Sequence, residues 1–262
     1  MSQSDYTKRF DGLRRLYGDK PFQLLAKLHI AVVGIGGVGS WAAEALARSG
    51  VGEITLIDYD EIAISNMNRQ IHALDSSVGQ KKILYMEERI KQINPDCKVN
   101  AIDDFVNMDN MSQYMSKDFD YVIDAIDSIK FKAWMIYYCK RNKIPVIATG
   151  GAGGLTDPTM IQIKDLSRTF NDALAARVRK QLRDDYGYPK NPQRYFGIEC
   201  VFSSQQPVYP KQDGTVSHEK PGIHGVNLDC SFGYGASVNV TATFGFVAAS
   251  RVITKLLKKY GS

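Results

Sequence analysis

The sequence has few of the residues that form disulfides in small secreted proteins or that bind metal ions. Its 262 residues include four cysteines, four histidines and two tryptophans. The cysteines, at positions 97, 139, 200 and 230, are far apart and form no Cys-x-x-Cys pair, which argues against zinc or dithiol redox sites and predicts reduced thiols. Residues 1–17 contain no apolar signal segment, so we expect a cytoplasmic protein.

The chain also lacks extremes of composition and charge. Hydrophobic residues make up 44% and charged residues 23%, which excludes disordered, collagen-like and coiled-coil classes. Lysine and arginine exceed the acidic residues by 33 to 28, and the net charge of +5 is compatible with a polyanionic partner without demonstrating one. The length allows one large domain or two small ones.

One segment without formal charge, Cys230 to Ser250, is long enough to cross a bilayer as a helix. Polar and small residues such as Gly233, Asn239 and Thr241 interrupt its apolar character, whereas hydrocarbon demands continuous apolarity. We therefore predict no membrane span and expect a helix buried in the protein core or in a subunit interface.

The first 150 residues alternate short β-branched runs with longer helical patterns, which is typical of a mainly parallel sheet with crossover helices. The predicted strands cover residues 28–33, 53–57, 98–102, 121–123 and 145–148. The predicted helices cover residues 38–49, 81–94 and 129–141, the last capped by Ser128. This pattern predicts an α/β, Rossmann-like, doubly wound fold.

The alternation ends in the glycine-rich residues 150–154. Residues 155–230 mix possible strands with a polar helix near 172–182, and residues 203–225 resemble a mobile loop. A C-terminal helix over about 236–259 is expected to pack back on the core. We predict a nucleotide-binding part, residues 1–154, and a substrate-binding and dimerisation part, residues 155–262, within one continuous domain.

A Gly-x-Gly-x-x-Gly loop, formed by Gly34, Gly36 and Gly39 with Gly37 as a fourth glycine inside it, joins the first strand to the first crossover helix. Such a loop lets backbone N–H groups approach phosphate oxygens at a helix N-terminus. Asp58 follows at the end of the second strand, where a carboxylate can accept ribose hydroxyls. The pattern predicts nucleotide binding; a merely tight turn is the alternative.

Two cations and a carboxylate distinguish this pattern from an ordinary dinucleotide site. Arg69 and Lys82 lie downstream of Asp58, where a nicotinamide enzyme has no general need of them but a triphosphate does. Asp127 follows the fourth strand at the carboxyl edge of the sheet, where it could hold Mg²⁺. Singly, these residues could be surface charges or a helix cap. Together they predict ATP with Mg²⁺.

These motifs resemble the ubiquitin-activating-enzyme-like adenylating superfamily, which includes the adenylyltransferases of molybdopterin synthase and of thiamine sulfur carriers. The match covers about residues 10–150, through Gly-x-Gly-Gly-Val-Gly, Asp-Tyr-Asp, Ser-Asn-Met-Asn-Arg-Gln and Gly-x-x-Lys in order. The resemblance implies ribose contacts from Asp58 and Asn66, catalytic phosphate contacts from Arg69 and Lys82, and Mg²⁺ binding with catalysis at Asp127.

The same resemblance implies a homodimer. Arg15 matches a family arginine that reaches the γ-phosphate site of the neighbouring subunit, although Arg14 beside it is an equal chemical candidate. The chain departs from the sulfur-carrier activators because it lacks their two Cys-x-x-Cys zinc pairs. Neither that zinc nor a ubiquitin-like protein substrate is therefore expected.

Four further stretches, residues 141–145, 149–154, 200–203 and 241–246, resemble the tRNA threonylcarbamoyladenosine dehydratases across nearly the whole chain. The resemblance implies ATP-dependent adenylation of the threonine carboxylate of this modification, then ring closure with loss of water. The alternatives are an NAD-dependent oxidoreductase and a sulfur-relay adaptor working with a cysteine desulfurase. Cys200 and Cys230 are interpreted as packed thiols.

Positive charge is concentrated between Lys164 and Arg194, where eight basic residues accompany four aspartates. Tyr186, Tyr188 and Tyr195 in this stretch could stack on unpaired anticodon-loop bases of tRNA. A solvated amphipathic helix with extended arginine side chains explains the same pattern equally well.

Overall fold

The computed structural model describes residues 3–211, 213–219 and 235–260. Its helices are α1 (Gln3–Tyr17), α2 (Asp19–Leu25), α3 (Gly39–Arg48), α4 (Lys82–Ile93), α5 (Met111–Tyr114), α6 (Ile129–Asn142), α7 (Ala173–Asp185) and α8 (Val238–Tyr260). Its strands are β1 (His29–Val33), β2 (Glu53–Ile57), β3 (Lys98–Ile102), β4 (Tyr121–Asp124), β5 (Val146–Thr149), β6 (Ile161–Asp165), β7 (Glu199–Ser203), β8 (Tyr209–Pro210) and β9 (Val216–Ser217).

Seven strands form one sheet in the order β3-β2-β1-β4-β5-β7-β6. Every neighbouring pair is parallel except β6 and β7, which are antiparallel. The chain moves outward from β1 to β3 and then crosses to β4 on the other side of β1. This reversal opens a crevice at the carboxyl ends of β1 and β4, where open α/β sheets bind ligands. The predicted doubly wound, mainly parallel fold is confirmed.

The central strands are rich in valine and isoleucine because helices cover both faces of the sheet. Ile30, Ala31 and Val32 in β1 have no exposed surface, although their side chains alternate between the two faces. One apolar cluster joins the sheet to α3, α4 and α8, and a second joins it to α6 and α7. The crevice is thus supported by a core on each side.

The C-terminal helix α8 packs against α3, close to the predicted position. A Cβ atom on Gly245 would lie 2.5 Å from the backbone oxygen of Val38, so only glycine permits this approach of the two helices. Within the described residues, α8 alone is long and apolar enough to span a membrane, and 56% of its most apolar stretch is buried. Core packing of Val240, Phe244 and Ala248 accounts for that apolar character.

Some local predictions differ from the structure. Ser128 occupies the position before α6, but its side chain makes no capping hydrogen bond. Residues 209–217, inside the predicted mobile loop, contain the two-stranded β8–β9 hairpin. The sequence reading also missed α1 and α2. Residues 220–225 of that loop and Cys230 lie outside the described residues.

Candidate functional site

The glycine loop between β1 and α3 is held by backbone contacts that exclude side chains. Gly34 has a φ of +85°, and a Cβ on it would lie 2.9 Å from the carbonyl oxygen of Ala125, which follows β4. A Cβ on Gly39 would lie 1.8 Å from the carbonyl oxygen of Gly34. The loop therefore bridges the two strands that flank the crevice and presents the N-terminus of α3 there.

The two inner glycines leave more space. A Cβ on Gly36 would meet nothing nearer than Gln70 Nε2 at 3.9 Å. A Cβ on Gly37 would lie 3.4 Å from Arg69 Cγ and 3.5 Å from Thr241 Cβ. The structure thus brings the predicted phosphate-binding Arg69 beside the predicted phosphate-binding loop.

Asp58 ties the end of β2 to this loop. Its carboxylate accepts a 2.6 Å hydrogen bond from the Ile35 N–H and a 2.8 Å bond from the Asp60 N–H. Burial raises the pKa of Asp58, while the nearby Lys82 charge and these two bonds oppose that rise. A carboxylate oxygen that accepts one N–H keeps capacity for a second donor, such as a ribose hydroxyl.

Lys82, at the start of α4, is almost fully enclosed, with 5% of its surface exposed. Its Nζ donates a 2.6 Å hydrogen bond to Asp60 Oδ2, and its backbone N–H donates to the Asp60 carbonyl. This cation therefore points toward the acidic end of β2 rather than into solvent, at the edge where the sequence predicted it.

Arg69 is anchored through its backbone and its side chain. Its carbonyl accepts hydrogen bonds from Trp41 Nε1 on α3 at 3.0 Å and from Thr241 Oγ1 on α8 at 3.4 Å. Its guanidinium donates to the Ser65 carbonyl at 2.6 Å and to Asn68 Oδ1 at 2.9 Å. These contacts fix the residue between two helices while it remains half-buried beside the crevice.

Asn66 supports its own turn. It is 8% exposed, and its Oδ1 accepts a 3.0 Å hydrogen bond from the Ala63 N–H. Its oxygen is therefore engaged within the short 3₁₀ helix Ile64–Asn66, and a ribose contact stays a prediction.

Asp127 is exposed in the loop after β4. The pKa of Tyr59 is raised by the negative charge of Asp60, by burial, and by the charges of Asp58 and Asp127. Among the described residues, no group of three or more His, Cys, Asp or Glu could hold a metal. Mg²⁺ commonly takes one or two carboxylates with phosphate oxygens as the other ligands, and the exposed Asp127 fits that donor set.

A buried ion pair behind this loop was missed by the sequence reading. Lys132 on α6 is 2% exposed and Asp124 at the end of β4 is fully buried. Lys132 Nζ donates to Asp124 Oδ1 at 2.9 Å, to the Asp124 carbonyl at 3.1 Å and to the Ile126 carbonyl at 2.9 Å. All three ammonium protons are thereby used to hold the segment that ends at Asp127.

His72 was also missed, because the motif around Arg69 assigns no role to it. Its Nε2 lies 2.9 Å from the Ile35 carbonyl of the glycine loop, and its side chain has no exposed surface. Burial lowers the pKa of His72 to about 4. At neutral pH the uncharged ring therefore donates from Nε2 to the loop.

The side chains of Arg14 and Arg15 on α1 differ in the number of contacts that hold them in place. Arg14 forms hydrogen bonds with Asp11 at 2.9 Å and Asp19 at 3.2 Å. Arg15 forms one ion pair with Asp11 at 3.3 Å, and its side chain is 74% exposed. Arg15 is therefore the freer of the two side chains.

The predicted RNA-stacking tyrosines are not equivalent. Tyr186 stacks on Tyr137 with ring centres 4.7 Å apart, and Tyr188 contacts the Phe196 ring at 4.9 Å. Both rings thus pack against the protein itself, and base stacking on them stays a prediction. Tyr195 is 65% exposed, and the guanidinium of Arg168 lies 4.7 Å from its ring centre.

Known proteins resemble this chain over almost its entire length. Over 255 residues the chain is 56% identical to the tRNA threonylcarbamoyladenosine dehydratase of Escherichia coli (strain K12), covering 97% of this chain and 95% of that protein. The E. coli enzyme solved with ATP superposes with a TM-score of 0.88 at 52% identity, covering 99% of this chain and 98% of that one. Its complex with AMP gives the same TM-score and identity and covers 100% and 98%.

The model of the ThiF family matches residues 11–261, almost the entire chain. This protein therefore belongs to the ThiF family.

Proposed function

We propose that this protein is an ATP-dependent ligase that dehydrates N6-threonylcarbamoyladenosine in tRNA to a cyclic form by adenylating its carboxylate. The observation that carries the proposal is the convergence of the glycine loop, Asp58, Arg69 and Lys82 at one sheet edge, in a chain similar throughout to a dehydratase solved with ATP and AMP. The protein would act in the cytoplasm, where its tRNA substrate is found.

In the first chemical step, a carboxylate oxygen of the substrate attacks the α-phosphorus of ATP and pyrophosphate leaves. The amides of the glycine loop and the cations of Arg69 and Lys82 would stabilise negative charge on the phosphate oxygens as it develops. Asp58 would position the ribose. Mg²⁺ bound through Asp127 would supply further charge neutralisation.

In the second step, a neighbouring atom of the same modification attacks the activated carbonyl, and AMP leaves as the ring closes. The step needs no enzyme thiol. Burial raises the pKa of Cys97 and Cys139 to about 12 and also raises that of Cys200. All three described thiols are buried and free, which favours adenylation without sulfur transfer over the adaptor alternative.

The oxidoreductase alternative is less well supported. Lys82 and Arg69 are held in defined positions beside the loop, and a nicotinamide cofactor has no general need for two cations there. A cysteine-desulfurase partner would have to act through Cys230, which lies outside the described residues, because the described thiols are enclosed.

A homodimer completes the proposed site. The 74% exposed Arg15 would extend to the triphosphate of the neighbouring subunit, whereas Arg14 is held by two aspartates of its own chain. In this scheme residues 1–154 bind the nucleotide, and residues 155–262 serve substrate binding and dimerisation.

The substrate-binding part would contact RNA through the exposed basic residues near α7. Arg177 and Arg194 are exposed, whereas Arg179 is half-buried and donates to Thr169 Oγ1. We therefore expect Arg177→Glu with Arg194→Glu to weaken tRNA binding in a gel-shift assay without unfolding the protein. Unchanged affinity would remove this surface from the proposal.

The decisive experiment incubates the protein with ATP, Mg²⁺ and tRNA carrying the modification. AMP release is measured, and the tRNA nucleosides are examined by mass spectrometry for a product lighter by one water. Arg69→Ala and Asp127→Ala should abolish both signals while the variants remain folded. Asp109→Ala, which removes another exposed carboxylate, should behave like wild type. Absence of the lighter nucleoside with wild-type protein would refute the proposed function.

A further inference from the structure

A cavity of about 480 Å³ lies between α1, α3 and α4. It is lined by Arg9, Phe10, Arg48, Arg89, Gln92 and Ile93. Arg48 is the last residue of α3, and the glycine loop lies at the first, so the two are about 14 Å apart along the helix axis. The cavity is therefore separate from the nucleotide site, and its volume is in the range of small-molecule pockets.

Two of the three guanidinium groups are held in place by one enclosed carboxylate. Glu44 on α3 is 3% exposed. Arg89 donates to its two oxygens from Nε at 2.7 Å and from a terminal nitrogen at 3.1 Å. Arg48 donates from Nε at 2.7 Å. Because both arginines bind the same carboxylate, their guanidinium groups lie side by side before any ligand arrives.

The charge at the cavity is not balanced by this carboxylate. Three guanidinium groups against Glu44 leave two positive charges. Arg9 is exposed, and none of the described residues forms an ion pair with it. The side chain of Arg48 is 60% exposed, and its bond to Glu44 leaves both terminal nitrogens available. Gathering like charges costs free energy that a bound anion would recover.

We propose that this pocket, which we call the Arg9–Arg48–Arg89 pocket, binds a phosphate group. Guanidinium groups match the oxygens of phosphate in paired hydrogen bonds, and several together favour a doubly charged oxyanion over a single carboxylate. Gln92 adds amide donors, and Phe10 and Ile93 form an apolar wall. The phosphate belongs to the backbone of the tRNA substrate or to a free phosphate-bearing molecule; the tRNA case rests on the proposed function.

The variants must leave Glu44 paired, so Arg89 is retained. Arg9→Gln and the double variant Arg9→Gln/Arg48→Gln remove positive charge from the pocket, and Arg89 still binds both oxygens of Glu44. Lys8→Gln is the matched control, because Lys8 is the exposed neighbour of Arg9 on α1 and does not line the cavity. Thermal unfolding establishes that all variants are folded.

Two measurements distinguish the sources of the phosphate. The first is calorimetric titration with inorganic phosphate; the second is tRNA affinity at several salt concentrations. If the ligand is the RNA backbone, the double variant should bind tRNA roughly tenfold more weakly and its salt slope should fall by about one. If the ligand is a free phosphate compound, wild type should bind inorganic phosphate, the double variant should not, and tRNA affinity should be unchanged.

The inference is overturned if wild type binds no inorganic phosphate and the double variant matches Lys8→Gln in tRNA affinity and salt slope. Arg48 and Arg89 would then serve only to neutralise Glu44. Product formation at saturating tRNA should be equal in all variants. If wild type forms no cyclic product, the proposed function fails separately, while the binding measurements still decide the role of the pocket.

Discussion

Replacing Lys132 by methionine tests the buried ion pair beneath the Asp127 loop. The substitution leaves the fully buried Asp124 carboxylate without its partner, and the Asp124 and Ile126 carbonyls lose a donor. Breaking a buried pair from one side typically costs about 3–5 kcal/mol of unfolding free energy. For a chain of this size that corresponds to a decrease in Tm of roughly 6–20 °C.

The loss should depend on pH. Burial already raises the pKa of Asp124, and removal of the opposing Lys132 charge should raise it further. A carboxyl group whose pKa is raised in the folded state destabilises that state as the pH rises through the folded pKa. The variant should therefore lose less stability relative to wild type at pH 5 than at pH 8.

The double variant Asp124→Asn/Lys132→Met distinguishes the effect of a buried, unpaired charge on stability from the effect of Lys132 on the position of the Asp127 loop. It removes both buried charges, so its cost should fall to about 1–3 kcal/mol, the usual penalty for unpaired polar groups. Because the segment before Asp127 loses its Lys132 anchor in both the single and the double variant, AMP formation should be low in both, although the double variant is folded. Lys130→Met, an exposed lysine two residues earlier on α6, is the control and should change stability by about 0.5 kcal/mol or less.

Urea denaturation of the four proteins at both pH values provides the assay. If Lys132→Met were as stable as Lys130→Met, Asp124 would carry no uncompensated charge and the reasoning from burial would be wrong. If the double variant released AMP at the wild-type rate, Lys132 would have no part in positioning the loop.

Three other outcomes are expected. Because the pKa of His72 is about 4 in the folded protein and 6.5 ordinarily, unfolding free energy should fall by about 3 kcal/mol between pH 6.5 and 4, and His72→Gln should remove this contribution in acid titrations of stability. Gly39→Ala should prevent native folding, seen by circular dichroism, because its Cβ would overlap the Gly34 carbonyl; Gly12→Ala, which meets nothing within 4 Å, should not. Arg15→Ala should reduce AMP release at unchanged Tm, whereas Arg14→Ala should leave AMP release intact; the reverse result would exchange their roles.

Local sequence patterns were sufficient to predict the parallel core. The strands over 53–57 and 98–102 have the predicted bounds, because runs of β-branched residues between turns have few other ways to bury their surface. The glycine loop could also be predicted, because the close approach of Gly39 to Gly34 occurs between residues of the same short loop. Asp58 and Asp127 could be predicted at the carboxyl edge because Asp58 directly follows β2 and Asp127 lies in the loop that follows β4.

What the sequence by itself determined was the alternation of strands and helices in the parallel core of the first 150 residues and the residue types at the carboxyl edge. Only the tertiary structure decided that Lys132 holds the Asp127 loop, that His72 supports Ile35, and that Arg48 and Arg89 share Glu44. These pairings join separate elements, and the energy of a buried charge or hydrogen bond depends on its surroundings in space. The same residue types could form other ion pairs and hydrogen bonds. The packing of the sheet and helices determines which of them form.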